Sequence, residues 1–339
     1  MVRVSKDFSN LINYARKIAK KVDEVIYEIV KGEPKKLYDA SLHLIKAGGK
    51  RVRPLLVVLT GRLYGMPEDK GVVAGASVEL LHNFSLIHDD IMDKDEFRRG
   101  VPTVHKLWGE DIAILAGDLL LSLSYYALAR LYREGFEPYR IVKSIEELTL
   151  ASKELAEGQV MDMEFPKRDN VSIEEYITMV KKKTSALFKA SAAIGAILAG
   201  AEDEEVVKVK EYATNIGVAF QVRDDELGLI ADEKKLGKPV YSDLREGKKT
   251  ILVIYALNNV DESKRKKILN VLGKRSASYT ELSEVAKIII ESGALEYSNK
   301  VAEDYLRRGL EYLESTKAVD EEAKQLLKDL AYFFARRQY

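Results

Sequence analysis

The chain has 339 residues, 46% of them hydrophobic and 32% charged, enough for one large domain or two ordinary ones. Lys+Arg and Asp+Glu both number 54, so the net charge is zero and no global field favours nucleic acid or an anionic membrane. There is no cysteine and there are four histidines, which excludes disulfides, zinc thiolates and thiol nucleophiles and disfavours a histidine-rich metal site.

Residues 1–21 are charged throughout and lack an apolar core segment. They do not read as a secretory signal, and the cytoplasm is the expected location. Seven prolines fall near the ends of apolar-periodic segments. Between them, apolar residues three and four apart predict helices over 57–63, 72–92, 112–132, 141–159, 173–199, 206–229 and 249–257. The pattern continues over 280–334 with Glu/Lys pairs on the outer faces. No run of β-branched residues alternating with polar ones predicts a sheet. The expected fold is all-α: one domain over 1–339, a single large helical bundle around a central cavity.

Two of these helices have unusual composition. The segment 112–129 is almost wholly apolar, with Asp118 its only charge. It is long enough to span a membrane, but an Asp near its centre is costly in lipid. The reading is a helix buried on all sides, without stable membrane insertion. The segment 190–201 is built mostly of Ala, Gly and Ser, with Ile194, Ile197 and Leu198; its small residues let two helix backbones touch. Buried helices of this kind also suit a subunit interface, and a homodimer or higher homo-oligomer is expected.

Four clusters carry chemistry. Gly48-Gly49-Lys50-Arg51-Val52-Arg53-Pro54 is a glycine turn with three bases, suited to approach by a phosphate. In Ile87-His88-Asp89-Asp90-Ile91-Met92-Asp93, Asp89 and Asp93 are four apart and share one helical face. All-oxygen ligands so placed suit Mg²⁺. Asp90 is rotated away and supports the pair. These acids end a helix, where the macrodipole disfavours negative charge, so a compensating cation is called for. Arg98-Arg99-Gly100 follows at once. Farther on, Gln221, Asp224 and Gly228 share a face, with Asp225 just off it. Lys238 and Lys248 follow this second cluster, and Lys183-Thr184 lie on an earlier helix. Acids facing one another across the bundle, with bases behind, would hold a metal–diphosphate through three Mg²⁺. His88-Asp89 also matches histidine–aspartate metal phosphohydrolases, but those need more histidines than the chain offers.

In these stretches, and in Pro102-Thr103 and Gly117-Asp118, the chain resembles the trans-isoprenyl diphosphate synthases, above all the archaeal type that makes geranylgeranyl diphosphate. The matches keep the family's order from 48 to 250. The resemblance implies an all-α homodimer with a deep central cavity. It implies that Lys50, Arg53, His82 and Arg99 hold isopentenyl diphosphate. Asp89, Asp93 and Asp224 would bind Mg²⁺. Arg98, Lys183, Lys238 and Lys248 would contact the allylic diphosphate, with Thr184 and Gln221 beside the reacting carbon. One departure stands out: Gly228 occupies a position where many relatives carry a third aspartate, so the second cluster is one carboxylate short.

The implied reaction condenses isopentenyl diphosphate with dimethylallyl, geranyl or farnesyl diphosphate. The product is all-trans geranylgeranyl diphosphate, formed by ionisation, condensation and elimination. Product length would follow cavity depth. Ser85, four before Asp89, is small and lets the tail pass; the resemblance assigns the floor to Phe84. A farnesyl or longer-chain (C25 or above) synthase is the main alternative. A terpene cyclase would not need Lys50, Arg53 and Arg99. A non-catalytic subunit of a heteromeric synthase commonly loses acids that are intact here.

Overall fold

The computed structural model describes residues 7–230 and 240–335. Helix follows helix: α1 Ser9–Ile29, α2 Lys35–Lys46, α3 Val52–Leu63, α4 Glu68–Asp93, α5 Val104–Trp108, α6 Glu110–Ala129 and α7 Pro138–Glu164. The chain continues through α8 Ile173–Val180, α9 Ala186–Ala199, α10 Asp203–Ile230, α11 Ser242–Glu246, α12 Ile251–Asn259, α13 Glu262–Val271, α14 Tyr279–Glu291, α15 Ala294–Glu314 and α16 Glu321–Ala335. The fold is all-α, as the apolar periodicity predicts. The small exception is an antiparallel hairpin pairing Phe97–Arg98 with Val101–Pro102. Its turn residues, Arg99 and Gly100, both have positive φ (54° and 76°). That is the backbone a two-residue hairpin turn requires, and it seats two arginines at the end of α4.

The long helices α4 and α10 form the interior. Helix α4 packs between α3 and α6, and α10 packs between α9 and α15. Each is buried along most of its length: Val72, Ala76 and Leu80 on α4, Val209, Ala213 and Ile216 on α10. Surrounding helices therefore cover them on more than one face, and their apolar residues spread beyond a single stripe.

The small-residue segment behaves as read. A Cβ added at Gly195 on α9 would stand 2.2 Å from Thr60 Oγ1 and 2.3 Å from the Val57 carbonyl on α3. The two backbones touch there, and no larger residue fits. The predicted helix 173–199 is continuous but contains a π-helical turn, Lys181–Ser185, between α8 and α9. One extra residue is accommodated within the helix.

Helix α6 corrects the sequence reading. It is not buried on all sides. Its small face, Ala113, Ala116, Gly117 and Leu120, is buried and lies on the side packed against α4. Several of its bulky residues face outward: Ile114 is 44% exposed, Leu115 51% and Tyr126 46%. Composition shows that a helix is apolar; it does not show which face its neighbours leave open.

Replacing Gly195 by Ala is expected to destabilise the fold by about 1–3 kcal/mol through overpacking. Thermal unfolding measures it, and an unchanged melting temperature would mean that α3 and α9 are not in backbone contact.

Candidate active site

One cavity of about 980 Å³ opens between the ends of the two central helices. Ser85, Leu86, Asp89 and Asp93 of α4 form one wall. Phe220, Gln221, Asp224 and Asp225 of α10 form the opposite wall. Leu155 and Asp162 of α7, the Lys183-Thr184 turn, Leu187 and the segment around Asp243 and Lys248 complete it. The two acidic clusters, 135 residues apart in the chain (224 − 89), thus line the same space.

On the α4 side the helical phase separates the three acids. Asp89 and Asp93 face the cavity. Asp90 is fully buried behind them and receives a hydrogen bond from the Arg98 guanidinium. Burial pushes the Asp90 carboxyl up to about 6 despite that partner. Burial also holds Asp89 above the usual carboxylate range; the charge of Asp93 adds to this, while Lys183 pulls the other way. The C-terminal end of α4 acquires the cation its dipole calls for, because Arg275 donates to the Asp93 carbonyl at 3.2 Å.

On the α10 side a hydrogen-bond chain crosses between helices. The Thr184 hydroxyl donates to Gln221 Oε1 at 2.8 Å, and Gln221 Nε2 donates to Asp225 at 2.9 Å. The Tyr176 hydroxyl donates to the same carboxylate at 2.7 Å. Burial pushes Asp225 up to about 7, with the charge of Asp243 adding to it. Asp224, by contrast, is exposed on the cavity side. The π turn presents Lys183 inward, where its ammonium pairs with Asp162 at 2.6 Å. Gly158 lets α7 press against this turn: a Cβ there would stand 2.4 Å from the Lys183 amide nitrogen.

The bases beside α4 form a second set. Arg53 donates to His82 Nε2 at 3.0 Å. Arginine has no acceptor, so that nitrogen carries no proton. Burial first, then the charges of Arg53 and Arg99, push the His82 pKa well below its usual value, so the ring is neutral. Arg53 also lies over the Phe188 ring at 4.9 Å, and its buried Nε has no hydrogen-bond partner. Burial lowers its own pKa to about 10. Arg99 donates to the Leu44 and Gly48 carbonyls.

The structure does not treat all of the sequence candidates alike. Arg53, His82, Arg98, Arg99, Lys183, Thr184, Gln221, Lys248 and Ser85 line the cavity with Asp89, Asp93 and Asp224. Lys50 does not: it is exposed, with its ammonium 5.9 Å from the Phe333 ring of α16. Phe84 also stands off the wall, edge-on against His88 at 4.8 Å. Helical phase turns it away from the aspartate face. Lys238 lies outside the described residues.

Other residues were not legible as part of the site. Arg51, one of three bases in the glycine turn, does not face the cavity but braces the loop. It is buried, pairs with Asp23 at 2.7 Å and with buried Glu79 at 3.1 Å, and donates to the Ile45 and Gly48 carbonyls. Asp162, Tyr176, Asp243 and Arg275 reach the cavity from four further segments. Nothing local in the sequence marks any of the four: Asp162 itself stands among Glu157, Gln159 and Glu164 on α7. Among the described residues, no three His, Asp or Glu side chains converge closely enough to cage a metal. The carboxylates stand on opposed walls, an arrangement that leaves room for a phosphorylated ligand between them.

Comparison with known proteins agrees with this geometry. A model of the polyprenyl synthetase family matches residues 34–289. The geranylgeranyl diphosphate synthase of Sulfolobus acidocaldarius is 44% identical over 326 residues, 96% of this chain and 98% of that one. The geranylfarnesyl diphosphate synthase of Aeropyrum pernix is also 44% identical, over 318 residues, 93% of this chain and 99% of that one. The crystal structure of geranylgeranyl pyrophosphate synthetase from Pyrococcus horikoshii Ot3 has a TM-score of 0.90 at 41% identity, covering 98% of this chain and 99% of that one. The family model spans well over half of the chain, residues 34–289, and the chain belongs to the polyprenyl synthetase family.

Proposed function

We propose that this chain is a prenyltransferase that condenses isopentenyl diphosphate with allylic diphosphates to give geranylgeranyl (C20) diphosphate and pyrophosphate. The observation that carries this reading is the division of the cavity wall. Lys183, Arg98 and Lys248 each pair with an acid, Asp162, Asp90 and Glu246, whereas Arg53 bonds His82, with the charge of Arg99 close enough to act on the same ring. Two anion sites beside an apolar lining of Leu86, Leu155, Leu187 and Phe220 suit two diphosphates and a hydrocarbon tail.

The acidic walls fit Mg²⁺. Asp89, Asp93 and Asp224 present oxygens from opposite sides, and Asp89, raised by burial first and by the charge of Asp93 after it, would be eased by a cation. Among the described residues no three acids converge to cage an ion, and a cation held by fewer carboxylates keeps waters and completes its shell with substrate oxygens. When bound there, Mg²⁺ supplies charge stabilisation on the departing pyrophosphate.

The chain's own groups do the rest. Lys183, Arg98 and Lys248 face the leaving group and offset its growing negative charge as the allylic C–O bond breaks. Arg53 and Arg99 hold the second diphosphate, with neutral His82 fixing Arg53; Lys50 would have to swing from Phe333 to join them. Thr184 and Gln221, locked to each other, lie beside the carbon where positive charge develops. The double bond of isopentenyl diphosphate forms the new C–C bond, and the released proton passes to the pyrophosphate. The apolar lining keeps water from the cation. A C25 product is the second reading, favoured by the equal identity of the geranylfarnesyl-forming relative.

The exposed row Ile114, Leu115 and Tyr126 on α6 fits burial against a second copy of the chain. Asp118, 57% exposed on the same helix, argues against lipid. Leu115→Asp is expected to shift the mass measured by light scattering from dimer to monomer; a wild-type monomer would remove this surface as an interface.

Product chromatography with each allylic primer is expected to give C20 as the main product, and a dominant C25 peak would establish the second reading. Asp89→Asn is expected to lower turnover on the order of 100-fold or more; undiminished turnover would remove Asp89 from the reaction.

One helix turn rises about 5.4 Å, comparable to one isoprene unit. Ser85→Phe, on the wall, should therefore shorten the product to C15, whereas Phe84→Ala, behind it, should lengthen it. Unchanged C20 from Ser85→Phe would show that the tail does not pass Ser85.

A further inference from the structure

Gly228 leaves the second acidic cluster one carboxylate short, yet the space above it is filled. A Cβ built on Gly228 would stand 2.7 Å from Asp243 Oδ2 and 3.7 Å from its carboxyl carbon. The Asp243 carboxylate therefore lies over the α10 backbone where a side chain at 228 would emerge. Position 228 is four residues after Asp224, one helical turn along. A carboxylate over Gly228 thus lies one helical turn along the α10 face that carries Asp224.

Asp243 lies on α11, fifteen residues beyond Gly228 (243 − 228). It lines the same cavity as Asp224 and Asp225. Its backbone is fixed: the Asp243 carbonyl accepts from the Lys248 amide at 2.9 Å, and Gly247 closes the turn at φ 79°. Its charge reaches the α10 wall and its surroundings. It adds to the burial that holds Asp225 up, and burial of Lys248 is offset by Asp243 together with Glu246. Lys248 has a separate ion-pair partner in Glu246, at 2.7 Å.

We propose that Asp243 supplies, from a different segment of the chain, the carboxylate that α10 lacks at Gly228, and that it serves with Asp224 in holding the cation on that wall. This rests on the prenyltransferase reading and names a residue within its metal site. Gly228 is then matched to Asp243: the absent side chain makes room for the carboxylate that arrives.

The test is binding of Mg²⁺ in the presence of inorganic pyrophosphate, followed by calorimetry and by thermal shift, with no turnover involved. Asp243→Asn, nearly the same size, is expected to weaken Mg²⁺ binding about tenfold or more, with its folded melting transition retained. Asp243→Ala should do the same, and adding Gly228→Asp to Asp243→Ala should recover most of the loss by returning a carboxylate to the vacated space. Wild-type Mg²⁺ affinity in Asp243→Asn, or a double variant no better than Asp243→Ala, would overturn the proposal. If pyrophosphate binding without Mg²⁺ is all that weakens, Asp243 serves only to place Lys248, and the proposal fails. Asp89→Asn separates the two levels. Lost Mg²⁺ binding there alongside an unaffected Asp243→Asn rejects Asp243 alone; wild-type protein that binds no Mg²⁺ with pyrophosphate rejects the underlying reading.

Discussion

The rest of the structure depends on a concentration of like charge on the walls of one cavity. Carboxylates on opposed walls of one cavity repel each other, and burial makes each ionised form costlier still. Asp89, Asp90 and Asp225 are all held above the ordinary carboxylate range by burial before any neighbour acts. Such an arrangement survives only if the frame around it is stiff and if cations are close by. The frame comes from α4 and α10, helices covered on most faces. The cations come from Arg98, Lys183, Lys248 and Arg275, each from a different segment.

Stiffness has identifiable sources. The α3–α9 contact at Gly195 brings backbone against backbone, so the spacing of those helices has almost no slack. Arg51 and Glu79 form a buried ion pair that also holds the Gly48 carbonyl. Burying such a pair contributes little net stability, but removing one partner leaves a costly unpaired charge. Its value lies in fixing the glycine turn beside Arg53 and Arg99. A base in a phosphate-binding cluster can thus serve by bracing its neighbours.

The sequence was most informative where chemistry repeats within a helix. Asp89 and Asp93 are one turn apart, so their shared face follows from 3.6 residues per turn, and the same count turned Asp90 inward. The helices and the tight small-residue crossing were legible for the same reason. Relations between segments were not. Nothing near residue 243 indicates that its side chain lies over Gly228, and nothing near Tyr176 indicates that its hydroxyl reaches Asp225. The outward face of α6 was misread because burial depends on which neighbours arrive. Lys50 and Phe84 are matched by motif, but the structure sets Lys50 against Phe333 and Phe84 against His88, both off the cavity wall.

The π turn at Lys181–Ser185 sets the phase of the site apart from that of its scaffold. A regular α-helix would bind its polar and apolar halves into one phase, so that turning a lysine toward the cavity would also rotate the packing face downstream. One additional residue decouples them. The segment before it and the segment after it keep separate registers, and α9 stays locked against α3 while Lys183 and Thr184 point at the chemistry. The extra residue of this turn acts as a phase adjuster between a scaffold and a reaction.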